Sequence, residues 1–428
     1  MSRFFTSSAA RSPRGDPVGT VFPGISGRRK NRPDGARWTG GCVVTEELRM
    51  SLDQIRQEMP AAMRWIYMNT GTTGPLPERA MRAVEKQTAA EVDRGRIDPE
   101  LHQRVSELKE TLRRAWAELT GATTASIALT QNTTEGIGLA LAGLDWQAGD
   151  EVITTNLEHS GVIMPLYLLA SRKGVQIRFI DLGVGEKNMI AALEQAVTSR
   201  TRMIAFSHVS YQTGAVLPME RVASWARERG LWTLVDGAQG VGALPLNLKQ
   251  TGVDFYAMPG QKWLCGPEGC GALYIAEDRL EQVQPTLVGW AGLKQMGPWP
   301  EVVLHQDARK FEVASFSAPL FAGMLESLRF GEDVGWTGIY RRTHRLAARF
   351  RSLLGEVPGV QVVTPDNHAG LVSFEVQGRK PEEVLERLRS RGILMRIIPR
   401  TPWVRASLGF FNSEEDVDRA VEGVAEWP

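Results

Sequence analysis

Two residues near the middle of the chain have the types and the setting for covalent work on amines. Asp236 ends an apolar run, LWTLVD (231–236), and Lys262 sits on a proline–glycine turn after a second one, DFYAMPGQK (254–262). A carboxylate buried at the end of an apolar strand is costly without a partner. A helix N-terminus or a protonated ring nitrogen would each serve. A lysine in a turn is usually solvated, with fewer than about one in a thousand neutral at pH 7. Burial against Trp263 and Leu264 would lower its pKa and permit Schiff-base chemistry. A Schiff-base lysine and a carboxylate for a pyridinium nitrogen are the two protein groups that pyridoxal phosphate chemistry requires.

Other stretches could supply the remaining parts, and each has a plainer reading. In QNTTEGIG (131–138), Thr133, Thr134 and the free amides of a helix's first turn could hold a phosphate, or the threonines could simply cap the helix. His159, in TTNLEHSGVIMP (154–165), could stack on a flat aromatic cofactor or be merely solvated. His208 falls inside an apolar strand and reads as structural. Gln239 could donate to a phenolic oxygen or cap its own turn. Arg405, in VRASLG (404–409), could clamp a substrate carboxylate bidentately or pair within its own domain.

These residues need a scaffold, and the hydrophobic pattern supplies one. Short β-branched or apolar runs at 126–130, 151–155, 176–180, 203–209, 232–236, 254–258 and 271–275 alternate with helical stretches. Such alternation implies a mainly parallel seven-stranded sheet covered on both faces by helices. Sites in such sheets open at the strands' carboxyl ends, where Asp236 and His159 fall. A short strand with a Gly/Pro turn (66–77) and then two helices, from about 77 and over 99–120, precede the first of these seven strands. After a less regular stretch at 280–318 come helices at 319–334 and 336–355. Short strands, including ILMRII (393–398), then mix with helices, as in a smaller α+β domain. The expected organisation is a large domain over 50–318, with 50–65 packing on the small domain, and a small C-terminal domain over 319–428. Residues 1–49 read as a disordered tail or a miscalled N-terminal extension with Met50 the true start; their arginine richness is also that of a transit peptide.

Composition removes several classes of function. Residues 1–44 carry eight Lys/Arg and two acids, leaving 42 bases and 47 acids in the remainder, so the body has no basic surplus for nucleic acid. No apolar run reaches membrane-spanning length. Three cysteines, Cys42, Cys265 and Cys270, make no disulfide framework or zinc cluster and point to a reducing, cytoplasmic setting. A nucleotide-binding α/β protein is the rival reading, but neither GVGEKN nor GAQGVG completes G-x-G-x-x-G.

Taken together, LVDGAQGVGALPL, DFYAMPGQKWLCGPEGCGALYI and VRASLGFFNSEEDVDRAV resemble the class V aminotransferase family of PLP-dependent enzymes, of fold type I. That family includes cysteine desulfurases, C–S lyases and isopenicillin N epimerase. The resemblance spans roughly 50–428. It implies pyridoxal 5′-phosphate on Lys262, with Asp236 at the ring nitrogen, His159 stacked on the ring and Gln239 at the phenolic oxygen. Thr133, Thr134 and Gln261 would bind the phosphate, joined by Ser315 from a partner subunit, which makes a homodimer with shared sites the expectation. Arg405 and Asn69 would contact a small amino-acid substrate. Pro259 stands where the family often has serine, and Tyr211 and Gln212 where it commonly has asparagine. No cysteine follows Cys270, so the sulfur-accepting loop of desulfurases, RIIPRTPW here, lacks its nucleophile. Transamination is the expected reaction, with β-elimination or epimerisation as alternatives.

Overall fold

The computed structural model describes residues 47–298 and 301–426. The expectation for residues 1–49 falls largely outside them. Seven strands form the central sheet: β1 (Ile127–Thr130), β2 (Glu151–Thr155), β3 (Gln176–Ile180), β4 (Thr201–Ser207), β5 (Trp232–Asp236), β6 (Phe255–Pro259) and β7 (Gly271–Ile275). Their order across the sheet is β1-β7-β6-β5-β4-β2-β3. The neighbours from β6 to β3 are parallel, while β7 runs antiparallel to both β1 and β6. The reversal has a local cause. A parallel return needs a crossover of a dozen or more residues, usually a helix. The link from β6 to β7 is instead the turn that carries Lys262.

Alternation along the strands builds two cores. Ile204, Phe206, Val235, Tyr256 and Met258 face one layer, while Met203, Ala205, Leu234, Phe255 and Ala257 face the other. Each large apolar side chain buried in this way contributes roughly 2 kcal/mol. With both faces covered, only the strand ends can present polar chemistry.

Two helices near the strand ends matter most. Helix α1 (Thr133–Ala142) follows β1 and α2 (Ser160–Lys173) follows β2. Further on, α3 (Ala318–Val334) sends Phe321, Met324, Leu325 and Leu328 into the core of the large sheet. The next helix, α4 (Trp336–Gly355), gives Leu346, Phe350 and Leu354 to a different core. Between them, across Gly335 with its φ of 94°, Phe330 and Val334 of α3 share a further cluster with Ile339 and Tyr340 of α4.

The second core underlies a four-stranded antiparallel sheet: β8 (Val360–Val362), β9 (Leu371–Val376), β10 (Arg396–Ile397) and β11 (Val404–Ser407), ordered β8-β9-β11-β10. The run ILMRII, read as one strand, divides at Met395. Ile393 and Leu394 pair in parallel with Ile66 and Tyr67, whereas Arg396 and Ile397 pair with Arg405 and Val404. This division places Arg396 beside Arg405. The N-terminal helix Leu52–Gln57, held by a capping box between Ser51 and Gln54, donates from Arg56 to the Phe411 carbonyl at 2.9 Å and pairs with Asp416 at 2.6 Å.

Candidate active site

A cavity of about 260 Å³ opens where the carboxyl ends of β5 and β6 meet the small sheet. Lys262, Asp236, His159, Thr133, Thr134, Gln239, Gln261 and Arg405 all line it, together with Thr72, Tyr211 and Arg396.

Asp236 is 5% exposed at the end of β5, and its Oδ1 accepts from the Ala238 amide at 2.8 Å. Among the described residues no hydrogen bond reaches its Oδ2. Lys262 lies deep in the cavity with no acidic side chain bonded to its ammonium among the described residues. Burial lowers its pKa to about 8, against the pull of nearby Asp236, with Arg405 and Arg396 helping to lower it. The turn is packed against the loop 69–77. The Gly74 amide donates to the Gln261 carbonyl at 2.7 Å, and a Cβ on Gly74 would sit 2.3 Å from the Lys262 carbonyl oxygen. Only glycine allows that approach.

The helix starts are arranged to leave donors free. Asn132 is the cap of α1, accepting from the Glu135 amide at 2.9 Å. The capping reading for Thr133 and Thr134 is therefore corrected: a residue one step earlier does that work, and both threonines face the cavity at the positive end of the helix. Gly161, at the start of α2, lies against Thr134, whose Oγ1 would be 2.8 Å from any Cβ there. His159 caps α2 through its ring, Nδ1 accepting from the Gly161 amide at 3.0 Å. Its other contact is Tyr211, edge to face at 4.8 Å and 88°.

Gln239 is committed on both sides of its amide. Trp263 Nε1 donates to its Oε1 at 2.8 Å, and its Nε2 donates to the Gly71 carbonyl at 2.8 Å. One N–H remains for a ligand. The plain reading of Gln239 as a cap of its own turn does not hold, since its side chain spans two loops. Gln261 has a buried side-chain amide oxygen with no partner. Turned end for end, the same amide would place its NH2 there, a donor that would suit a phosphate.

Arg405 is fully buried on β11, and its pKa is pushed down to about 9 by burial, with Arg396 adding to the effect. Nη1 donates to the Tyr211 carbonyl at 2.7 Å, and Nε has no partner. Among the described residues, neither arginine has an acidic partner. The intradomain ion pair that was the plain reading of Arg405 is absent among them.

Two expected residues stand elsewhere. Asn69 does not line the cavity; its Oδ1 accepts from Thr72 Oγ1 at 2.7 Å, so it acts from behind Thr72. Ser315 is exposed and outside the cavity of its own chain. Its segment is anchored by buried Glu312, which pairs with Arg113 and accepts from the Leu129 amide at 2.9 Å. His208 is structural, with Nδ1 3.0 Å from the Tyr256 hydroxyl. Gln212 turns away to the Asn156 carbonyl at 3.4 Å. Sequence reasoning missed Thr72 and Arg396. Arg396 had a signal, a guanidinium inside an apolar run, the same one that marked Arg405.

The cavity thus offers a partly deprotonated lysine, an acceptor at Asp236, donors at a helix N-terminus and two uncompensated guanidiniums. These orphaned groups fit pyridoxal phosphate and an amino-acid carboxylate. A family model described as aminotransferase class-V matches residues 66–420. Isopenicillin N epimerase of Streptomyces clavuligerus is 31% identical over 84% of this chain and 94% of its own. A probable cysteine desulfurase of Methanothermobacter thermautotrophicus is 26% identical over 88% of this chain and 98% of its own. Among solved structures, a lysine mutant of C-DES with glycine covalently linked to its PLP cofactor superposes with a TM-score of 0.84. It is 30% identical and covers 87% of this chain and 99% of its own. The cystine C–S lyase C-DES with its product cysteine persulfide gives 0.83 at 30% identity, covering 86% and 99%.

Proposed function

The chain belongs to the class V aminotransferase family, whose cofactor is pyridoxal 5′-phosphate, and on that premise we propose that it converts a small α-amino acid by removing its Cα proton, with transamination as the outcome. The observation that carries this reading is the meeting of Lys262, Asp236 and Arg405, each with unused polar capacity, on one cavity. When bound, the cofactor supplies a carbonyl that condenses with amines and a ring that withdraws charge from Cα.

Each side chain then has a definite task. Lys262 would hold the cofactor and, once released by the incoming amine, take the Cα proton on Nζ. With a pKa of about 8, roughly one side chain in ten is neutral at pH 7 before any ligand binds. Asp236 Oδ2 would accept from the ring nitrogen and hold its proton in place. The free N–H of Gln239 would donate to the phenolic oxygen, and neutral His159 would lie against the ring. Thr133, Thr134, Gln261 and the first amides of α1 would hold the phosphate, and Arg405 the substrate carboxylate. Ser315 would serve the neighbouring subunit's phosphate in a homodimer, which suits its exposure. Free thiols at Cys265 and Cys270 suit a cytoplasmic setting.

A second reading, β-elimination, draws on the likeness to the cystine C–S lyase. A desulfurase acting through a cysteine is disfavoured, because both described cysteines are buried and their thiols are pushed up to about 12. Single-turnover reactions with alanine, cysteine and cystine separate these. Conversion of alanine to pyruvate with the amino group retained on the enzyme supports transamination. Catalytic pyruvate release from cystine without added keto acid would replace it with elimination.

A further inference from the structure

Two guanidiniums meet on one hydroxyl in this cavity. Arg396 Nη1 lies 3.1 Å and Arg405 Nη2 3.2 Å from Thr72 Oγ1, and Thr72 in turn donates to Asn69 Oδ1 at 2.7 Å. A threonine hydroxyl has one proton and two lone pairs, and guanidiniums only donate. Both lone pairs are therefore spent on the arginines, and the proton has one direction left, toward Asn69. The atom of Asn69 that faces Thr72 must be its oxygen.

The two arginines repel each other and, among the described residues, have no carboxylate between them. Strand pairing alone brings their Cα atoms into register across β10 and β11. What draws their tips together is the shared oxygen. The loop that carries it is fastened to the same sheet: the Ser407 amide donates to the Met68 carbonyl at 2.7 Å and the Thr70 amide to the Ser407 carbonyl at 3.3 Å. The Thr72 and Thr73 amides fold back on the Asn69 carbonyl at 3.0 and 3.3 Å.

We propose that Thr72, oriented by Asn69, is a positioning residue that holds Arg396 and Arg405 converged on a single point, so that the cavity recognises one free carboxylate through both guanidiniums. This rests on the reading of Lys262 and Arg405 given above. It makes the specificity of the site for an underivatised amino acid depend on a neutral side chain that carries no charge itself.

Two probes isolate that recognition: aminooxyacetate and methoxyamine. Both attack the cofactor carbonyl and report through the visible spectrum, but only the first has a carboxylate. The ratio of their apparent affinities measures the clamp, with methoxyamine controlling for folding and cofactor loading. Thr72→Val should lower the ratio about tenfold, the size expected for losing a hydrogen bond to charged groups. Thr72→Ser should restore it. Asn69→Ala should lower it too, and combining Asn69→Ala with Thr72→Val should add nothing further. An unchanged ratio in Thr72→Val, or a serine variant as impaired as the valine one, overturns the proposal while the cofactor reading stands. A wild-type protein whose spectrum ignores methoxyamine removes the cofactor reading, and this inference with it.

Discussion

The imidazole Nδ1 of His159 accepts a 3.0 Å hydrogen bond from the backbone amide of Gly161. An amide cannot give up its proton, so Nδ1 must hold a lone pair and any single proton sits on Nε2. Burial, then the neighbouring Lys262, lowers the pKa of this histidine below its usual value. The accepting Nδ1 and the lowered pKa both favour an uncharged ring with its proton on Nε2. Nitrogen-15 spectra of the imidazole should show the Nε2–H form predominating between about pH 7.5 and 9; a mainly doubly protonated or Nδ1–H ring in that window contradicts the assignment. His159→Ala should also cost about 1 kcal/mol of stability through the lost cap, read as a lower denaturation midpoint.

Stability against pH should carry two opposing slopes from buried groups outside the chemistry. Burial pushes His208 down to about 4, so the unfolded chain binds more protons between about 4 and 6.5 and acid destabilises the fold there. Glu158 is 6% exposed and takes hydrogen bonds from Thr155 and Ser207 side chains at 2.6 Å each. Burial, with Asp236 nearby, raises it to about 7. Its folded form binds the extra proton between about 4.5 and 7, and stability falls as pH rises through that range. Each effect is at most on the order of 3 kcal/mol. Glu158→Gln removes the second slope alone, so its melting temperature should drop more steeply than wild type on acidification from pH 6.5 to 4.5. Parallel curves would show that Glu158 is ionised throughout.

Capture of the cofactor should follow the lysine. With Lys262 at about 8, the rate at which apoprotein takes up pyridoxal phosphate should rise with pH and level off just above 8. A lysine in water would keep gaining to pH 10. A rate still climbing tenfold per unit at pH 9.5 would mean that burial does not act on Nζ as described.

Cys265 lies three residues past Lys262, yet its thiol is buried, held against the Trp263 carbonyl and Gly74, and its φ is 54°. That left-handed conformation is one which glycine adopts freely and cysteine does not. Iodoacetamide should leave the peptide with Cys265 and Cys270 unmodified in the folded protein and label it after denaturation. Labelling of the native protein with loss of activity would give Cys265 a chemical role.

The parts of this site that were legible in the sequence share one property: each is a polar residue out of place in an apolar pattern. Asp236 closing an apolar strand, Lys262 on its glycine turn and Arg405 inside a strand all stand out because burial makes them costly. The alternation of strands and helices likewise told where the rim would be. What could not be read were relationships between distant segments. Thr72 has an ordinary loop composition and acquires meaning only by meeting Arg396, 324 residues on. Arg396 faces the cavity only because ILMRII splits at Met395, which depends on pairing with Ile66 and Tyr67. Asn69 was expected at the substrate but stands behind Thr72, since a turn closes between them. The antiparallel course of β7 was hidden for a similar reason: strand patterns carry no sign of direction.

If Lys262 carries the cofactor, a reducible bond between the two can be trapped and located. Protein supplied with pyridoxal phosphate is reduced with borohydride, digested and mapped by mass spectrometry. The pyridoxyl mass should appear on the peptide containing Lys262, in nearly stoichiometric yield, and should be absent from that peptide in Lys262→Ala, with no compensating label elsewhere. Label spread over surface lysines, or none on Lys262 in wild-type protein, would mean that Lys262 does not carry the cofactor.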